Sequence, residues 1–192
     1  MRGCLIVMDD KKIKHLEKKA AEIRRDAIEA VITAGSGHVA GPLDMADIFT
    51  ALFFHTLKHD PKRSDWSERD RLVLSNGHIC PVLYAAMCHA GYANVKEFKT
   101  TLRRLGTKFQ GHPHREFFPA LETSSGPLGS GLSQAVGMAL GFKIDGAKNQ
   151  VYALLSDAEH QAGNLWEAAQ LAGKHQLDNL TAVVDRNNIQ ID

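Results

Sequence analysis

The chain is predicted to fold as an α/β domain, a parallel sheet flanked by helices, and three observations predict it. Val151–Leu155 is a short apolar run, and Leu180–Val184 is a second one rich in β-branched residues. Between them Leu165, Ala168, Ala169 and Ala172 recur at helical spacing. A strand, a helix and a strand of these lengths make a βαβ unit, whose parallel strands need helices on their faces.

Composition agrees with one such domain across residues 1–192: 44% of the chain is hydrophobic and 23% charged, enough apolar surface for a substantial core. The net charge of +1 gives no bulk electrostatic case for nucleic acid. Basic residues interleave with acids in Glu17–Arg25 and Asp60–Arg71, as on solvated faces. No apolar run approaches membrane-spanning length. Cys4–Met8 is too short for a signal-peptide core, and residues 1–9 read as an N-terminus without fixed structure. Cys4, Cys80 and Cys88 form neither a disulfide framework nor a metal-binding spacing. The latter two lie in an apolar stretch and are expected to be buried free thiols of a cytoplasmic protein.

Taken in order, residues 10–34 should form a helix, with Ile13, Leu16, Ala20, Ile23, Ala27 and Val31 along one stripe and Gly35 as its stop. The glycines of GSGHVAG place His38 on a loop. A second helix is expected over Asp44–Leu57. Leu72–Leu74 reads as a strand running into Ser75-Asn76-Gly77-His78, and Pro81 suits the first turn of a helix continuing through Leu83–Ala90. A helix over Val95–Leu105 precedes the irregular segment bearing His112. Thr123–Ile144 opens as a glycine-rich turn and continues as a helix, where Gly137 and Gly141 favour close helix packing within the subunit or across a dimer.

The polar residues that matter stand at strand ends. Asp157 follows the first strand of the βαβ unit and Asn187 the second, on the edge where open parallel sheets bind ligands. A carboxylate and an amide oxygen suit a hard cation of the Mg²⁺ type, which completes its shell with water and phosphate oxygens. A helix starting near Ala162–Asn164 aims its first N–H groups at the same edge. The competing reading is an Asp that starts a turn and an Asn pair that ends a strand. His38, His78 and His112 each sit on a glycine-containing loop without zinc-ligand spacing, as surface residues or as proton-shuttling groups around one polar ligand.

These stretches resemble the diphosphate-binding half of transketolase, in particular the N-terminal subunit of transketolases made as two chains. The resemblance rests on SGH with DMADI, RDRLVLSNGH, QGHP, SSGPLGSGLSQAVGMALG and SDAEHQAGNLWEAAQLAGKHQLDNLTAVVDRNNIQID, and covers nearly the whole sequence. It implies a thiamine-diphosphate-binding fold in which Asp157, Asn187 and the backbone carbonyl of Ile189 hold Mg²⁺ or Ca²⁺. By the same likeness His78 and the backbone of Ala158 contact the diphosphate, and Gly126 and Leu128 lie by the cofactor's rings. His38 and His112 reach the ketol hydroxyls of a sugar phosphate substrate. It further implies a C-terminal, pyrimidine-binding partner subunit that supplies the activating glutamate, within a homodimer or heterotetramer.

Four departures stand against the family pattern. Gly-Asp-Gly is here Ser156-Asp157-Ala158; the acid before Gly163 is Ala162; Pro-Gly after SGH is Val39-Ala40; and the sequence stops at Asp192, earlier than family subunits do. The expectation is ketol transfer from a ketose phosphate to an aldose acceptor, in pentose phosphate chemistry. The alternatives are a non-catalytic, transketolase-like assembly protein and a related synthase of 1-deoxyxylulose 5-phosphate.

Overall fold

A computed structural model describes residues 8–190. The expectation for residues 1–9 falls outside the described residues up to position 7; Asp9 is the N-cap of the first helix, its carboxylate accepting from Lys11 N at 3.1 Å.

Three parallel strands form the sheet, β1 (Arg71–Leu74), β2 (Val151–Ser156) and β3 (Leu180–Asp185), in that spatial order. Successive strand side chains face opposite sides. Leu72, Leu74 and Leu154 therefore enter one core, while Val73, Val151, Ala153 and Leu155 enter another. Both faces are covered, which is why these strands read as continuous apolar runs rather than alternating ones. Helices α1 (Asp10–Ala34), α2 (Ala40–Ala51), α3 (Cys80–His89) and α4 (Val95–Thr101) cover the first face; α5 (Gly131–Ile144) and α6 (Gly163–Lys174) cover the second.

The larger core is aromatic at its centre, where Tyr84, Phe98, Phe109 and Phe118 pack largely edge-on, with Phe98 and Phe109 centroids 5.3 Å apart. The buried carboxylate of Asp26 on α1 meets His89 Nε2 at 2.8 Å and Lys99 Nζ at 3.2 Å, fastening α1 to α3 and α4. Cys80 and Cys88 are buried free thiols, and burial pushes both up to about 12, so neither is a nucleophile near neutral pH.

Two helices differ from the sequence expectation. The second begins at Ala40, not Asp44, and finishes in a π-helical turn, Leu52–Thr56. Pro42 is accommodated because N–H groups of a first turn have no intrahelical partner to lose. Gly41 is needed because a Cβ would strike the Ile79 side chain. The fourth helix stops at Thr101 rather than Leu105: Leu102 turns out of it to be buried, and Arg103 takes a left-handed φ of 61°.

The space beside Gly137 and Gly141 is open, so the close packing expected there is not made among the described residues. Gly131 is the contrast, since a Cβ on it would stand 2.6 Å from Ser75 Cα. Gly131→Ala should cost at least about 1–3 kcal/mol through overpacking. Gly137→Ala, in an open helical position, should stabilise by roughly 0.5–1 kcal/mol. Urea denaturation of the two variants checks the pair by the opposite signs of their midpoint shifts.

Candidate functional site

The carboxyl-terminal ends of the three strands share one edge, and the polar loops collect there. After β1, Ser75, Asn76 and Gly77 are buried and His78 is half-buried, in a 3₁₀ turn that leads into α3. His38 comes from the loop after α1, and its ring centroid lies 4.8 Å from that of His78. That loop starts at Gly35, whose φ of 70° allows its N–H to close the helix on Val31 O and Ile32 O. The loop bearing His112 is tied to α3, with Cys80 Sγ donating to Gly111 O at 3.2 Å and Tyr84 Oη to Gln110 O at 3.1 Å. Gly126 backs onto the His112 ring, where a Cβ would lie 3.7 Å from its Cδ2.

The three histidines are close enough to act on one another's charge. Burial holds His78 below the ordinary imidazole value; His38 and His112 push the same way, and Glu159 opposes them. His112 keeps an exposed edge, yet burial of the rest lowers it as well, helped by Arg103 and then His38. Neutral imidazoles at neutral pH can both accept and donate a proton, the capacity that proton transfer at a hydroxyl requires.

At the other end of the edge, Asp157 N donates to Asp185 O at 3.0 Å, continuing the β2–β3 ladder past Ser156. The Asp157 carboxylate accepts from Ala158 N at 3.0 Å and from Asn188 N at 2.7 Å. Asn188 takes φ 57°, and this turn folds the 187–189 loop back on Asp157. Asn187 is held between Asp185, to which its Nδ2 donates at 3.3 Å, and Ile189, whose N–H donates to its Oδ1 at 2.9 Å. Burial pushes the Asp185 carboxyl up, and nearby Asp44 and Asp157 add to this, against the Asn187 hydrogen bond. None of these three carboxylates has a Lys or Arg partner among the described residues.

Glu159 joins the ends together. It is 1% exposed, and its carboxylate accepts from Ser75 Oγ, from Gly129 N at 2.8 Å, from Ser156 N at 2.8 Å and from Ser156 Oγ at 3.3 Å. Ser75 also accepts from Gly131 N at 3.1 Å. The glycine-rich turn is thereby pinned across the ends of β1 and β2. Gly129 approaches α6 so closely that a Cβ would lie 2.6 Å from both Ala162 Cβ and Asn164 Oδ1.

A family model described as transketolase, thiamine diphosphate binding domain, matches residues 16–192. The chain belongs to the transketolase family. Among its relatives, the 6-deoxy-6-sulfo-D-fructose transketolase subunit SqwG of Clostridium sp. (strain MSTE9) is 42% identical over 177 residues, 92% of this chain and 64% of that one. One subunit of the apulose-4-phosphate transketolase of Phocaeicola vulgatus is 37% identical over 93% of this chain and 63% of its own length. The transketolase of Campylobacter jejuni superposes with a TM-score of 0.87 at 36% identity, covering 96% of this chain and 29% of that structure. The chain thus spans less than two thirds of these relatives. The α/β architecture is that of the thiamine-diphosphate-binding part of transketolase.

Against that family the site chemistry is consistent. The uncompensated carboxylates suit a cation, and no group of three or more His, Cys, Asp or Glu that could hold a metal occurs among the described residues. A cation at Asp157 would therefore rest on amide and carbonyl oxygens as well. The first turn of α6 has no side-chain cap, which leaves N–H groups directed at the edge. Leu128, next to Gly129 in the glycine-rich turn, offers an exposed apolar side chain. Ala158 sits in a 3₁₀ turn, Ala158–Gln161, and is absent from the positive-φ residues, so its Cβ is unstrained. Its N–H, however, is turned toward Asp157.

Sequence reasoning passed over three features. Glu159 had a visible signal, an acid three residues past a strand end. Among the described residues Asn76, 1% exposed, has neither amide atom hydrogen-bonded, and Ser125 Oγ is likewise buried and unpaired behind Gly77; both flank His78 and Gly126. Arg103, placed by a left-handed backbone, had no signal in the sequence.

Two measurements test this geometry. Glu159→Ala should lower stability by about 3 kcal/mol or more, because buried donors from several segments lose their acceptor. Glu159→Gln should cost less but remain destabilising, since its NH₂ group faces a donor; equal unfolding midpoints for both variants and the parent would refute the assignment. For pH, His78 and His112 bind protons less readily when folded than at their ordinary 6.5. Their contribution is present above the unfolded value and declines as pH falls through it toward the folded value. The stability of His78→Gln should accordingly drop less steeply between about pH 7 and pH 5 than the parent's, measured by urea unfolding at each pH.

Proposed function

We propose that this chain is the diphosphate-binding half of a two-chain transketolase, active with a pyrimidine-binding partner subunit in a homodimeric or heterotetrameric arrangement. The observation that carries the reading is the joining of Asp157 to the 187–189 loop, with Asn188 N on the Asp157 carboxylate at 2.7 Å, at the same sheet edge as His38, His78 and His112. That two relatives bear the name of transketolase subunits supports the need for a partner.

In this reading Asp157, Asn187 and the Ile189 carbonyl hold Mg²⁺ or Ca²⁺, and His78 with the Ala158 backbone contacts the diphosphate. Gly126 and Leu128 lie along the cofactor's rings. Thiamine diphosphate supplies the carbon nucleophile of ketol transfer. His38 and His112 bind the hydroxyls of the ketose and move a proton to or from the oxygen whose charge changes. The donor is a ketose with an anionic end and the acceptor an aldose. The relatives' names specify a sulfonate on one ketose and a phosphate on the other.

With partner subunit, thiamine diphosphate and Mg²⁺, the protein should transfer a two-carbon unit from a ketose phosphate to an aldose. Asp157→Ala should weaken cofactor binding by more than about a hundredfold, beyond the loss from a residue that only supports a metal ligand. Calorimetry on the parent with no detectable cofactor binding, alone or with partner, counts against the reading.

A second reading is favoured by Ala162, which stands where the family places an acid and whose Cβ lies against Gly129. It is a transketolase-like assembly protein without catalysis. A defined complex in native mass spectrometry that neither contains nor takes up thiamine diphosphate would select it.

A further inference from the structure

Arg103 carries the left-handed backbone of a residue type that disfavours it, with φ 61°. The conformation is held from both sides, by buried Leu102 before it and by its own N–H donating to Phe109 O at 2.9 Å. Strained backbone of this kind persists where the surroundings over-determine it, and it often serves to aim a side chain. Here the side chain is aimed at two loops. Nη1 donates to Ser36 Oγ at 3.3 Å, two residues before His38. The guanidinium also lies against Gly111, directly before His112; a Cβ on Gly111 would stand 3.0 Å from Nε and 3.2 Å from Cζ. Gly111 has no positive φ, so what glycine offers there is room for the cation and not a special conformation: a Cβ would have to displace the guanidinium by a few tenths of an ångström. No carboxylate pairs with Arg103 among the described residues, so salt-bridge formation does not explain its position.

We propose that Arg103 is a positioning residue: one planar cation that fastens the His38 loop to the His112 loop and so sets the two imidazoles against the same substrate. The inference rests on the reading of His38 and His112 as substrate-facing groups. Lysine cannot replace it, because only a guanidinium offers a flat face to Gly111 while a separate N–H reaches Ser36. The groups around His112 are His38 from the loop after α1, His78 from the turn after β1, and Cys80 and Tyr84 of α3 on the carbonyls of its own loop, with Arg103 as the permanent charge.

The test separates fastening from folding. Arg103→Gly removes the guanidinium and at the same time relieves the backbone, so the variant should melt no lower than the parent. Hydrogen–deuterium exchange on the chain alone should nonetheless speed up several-fold at residues 36–39, far in sequence from the substitution, together with residues 110–113. Gly111→Ala, which retains the arginine but takes its space, should do the same. Arg103→Lys should keep the His112 titration near the parent's while failing to slow exchange at 36–39. With the partner subunit, all three variants should lose about tenfold or more in kcat/KM, the scale of a misplaced catalytic group. Unchanged exchange at 36–39 in both Arg103→Gly and Gly111→Ala overturns the proposal, as does faster exchange with kcat/KM intact in an active parent. A parent that shows no ketol transfer at all sinks the functional reading instead, and the exchange result still decides whether Arg103 fastens the loops.

Discussion

The carboxylate of Glu159 is the interaction on which the site's geometry depends. An ionised carboxylate out of contact with water costs several kcal/mol unless its lone pairs are filled. This one is filled by the hydroxyl of Ser75, the N–H of Gly129 and both the N–H and the hydroxyl of Ser156. Those donors belong to the end of β1, the glycine-rich turn and the end of β2. The arrangement is therefore all-or-none: a shift of any one segment leaves a buried charge short of a partner. His78 lies three residues past Ser75, Asp157 directly after Ser156, and Gly126 three before Gly129, so these three candidate groups are placed from this one contact.

Around that fixed point the edge is electrically divided. At the β1 end stand His38, His78 and His112 with the cation of Arg103, and burial keeps His78 and His112 toward their neutral forms. At the β2–β3 end stand Asp157 and Asp185, with Asp44 reaching in from α2 and no basic residue paired to any of them among the described residues. Electrostatics favour a cation at the acidic end and disfavour one beside Arg103. The order of strands in the sheet creates this separation, because β1 and β3 lie at its opposite sides.

Much of this was legible because it is periodic or positional. The apolar runs gave β1, β2 and β3, and their parallel pairing with helices on both faces followed from the lengths between them. The strand ends then nominated Asp157, Asn187 and His78. What the sequence concealed is tertiary. Nothing local says that α4 will release Leu102 into the core and leave Arg103 left-handed, or that α2 will take Gly41 and Pro42 into its first turn. The close packing expected at Gly137 and Gly141, within the subunit or across a dimer, is not made within the described residues of the chain. Glycine spacing marks where a backbone can be approached, not whether anything approaches it.

The departures from the family's Gly-Asp-Gly are better understood as one local exchange than as separate losses. Serine at 156 brings a hydroxyl that glycine lacks, and it is spent on Glu159 at 3.3 Å beside the Ser156 N–H at 2.8 Å. Alanine at 158 enters a 3₁₀ turn that starts from Asp157 at φ −63° and ψ −36°, a right-handed conformation in which a Cβ is unstrained. Conformational freedom has been removed from the turn, and an acceptor two residues after Asp157 has gained a donor. Both side chains restrict the backbone that presents Asp157, which glycine in their places would leave freer.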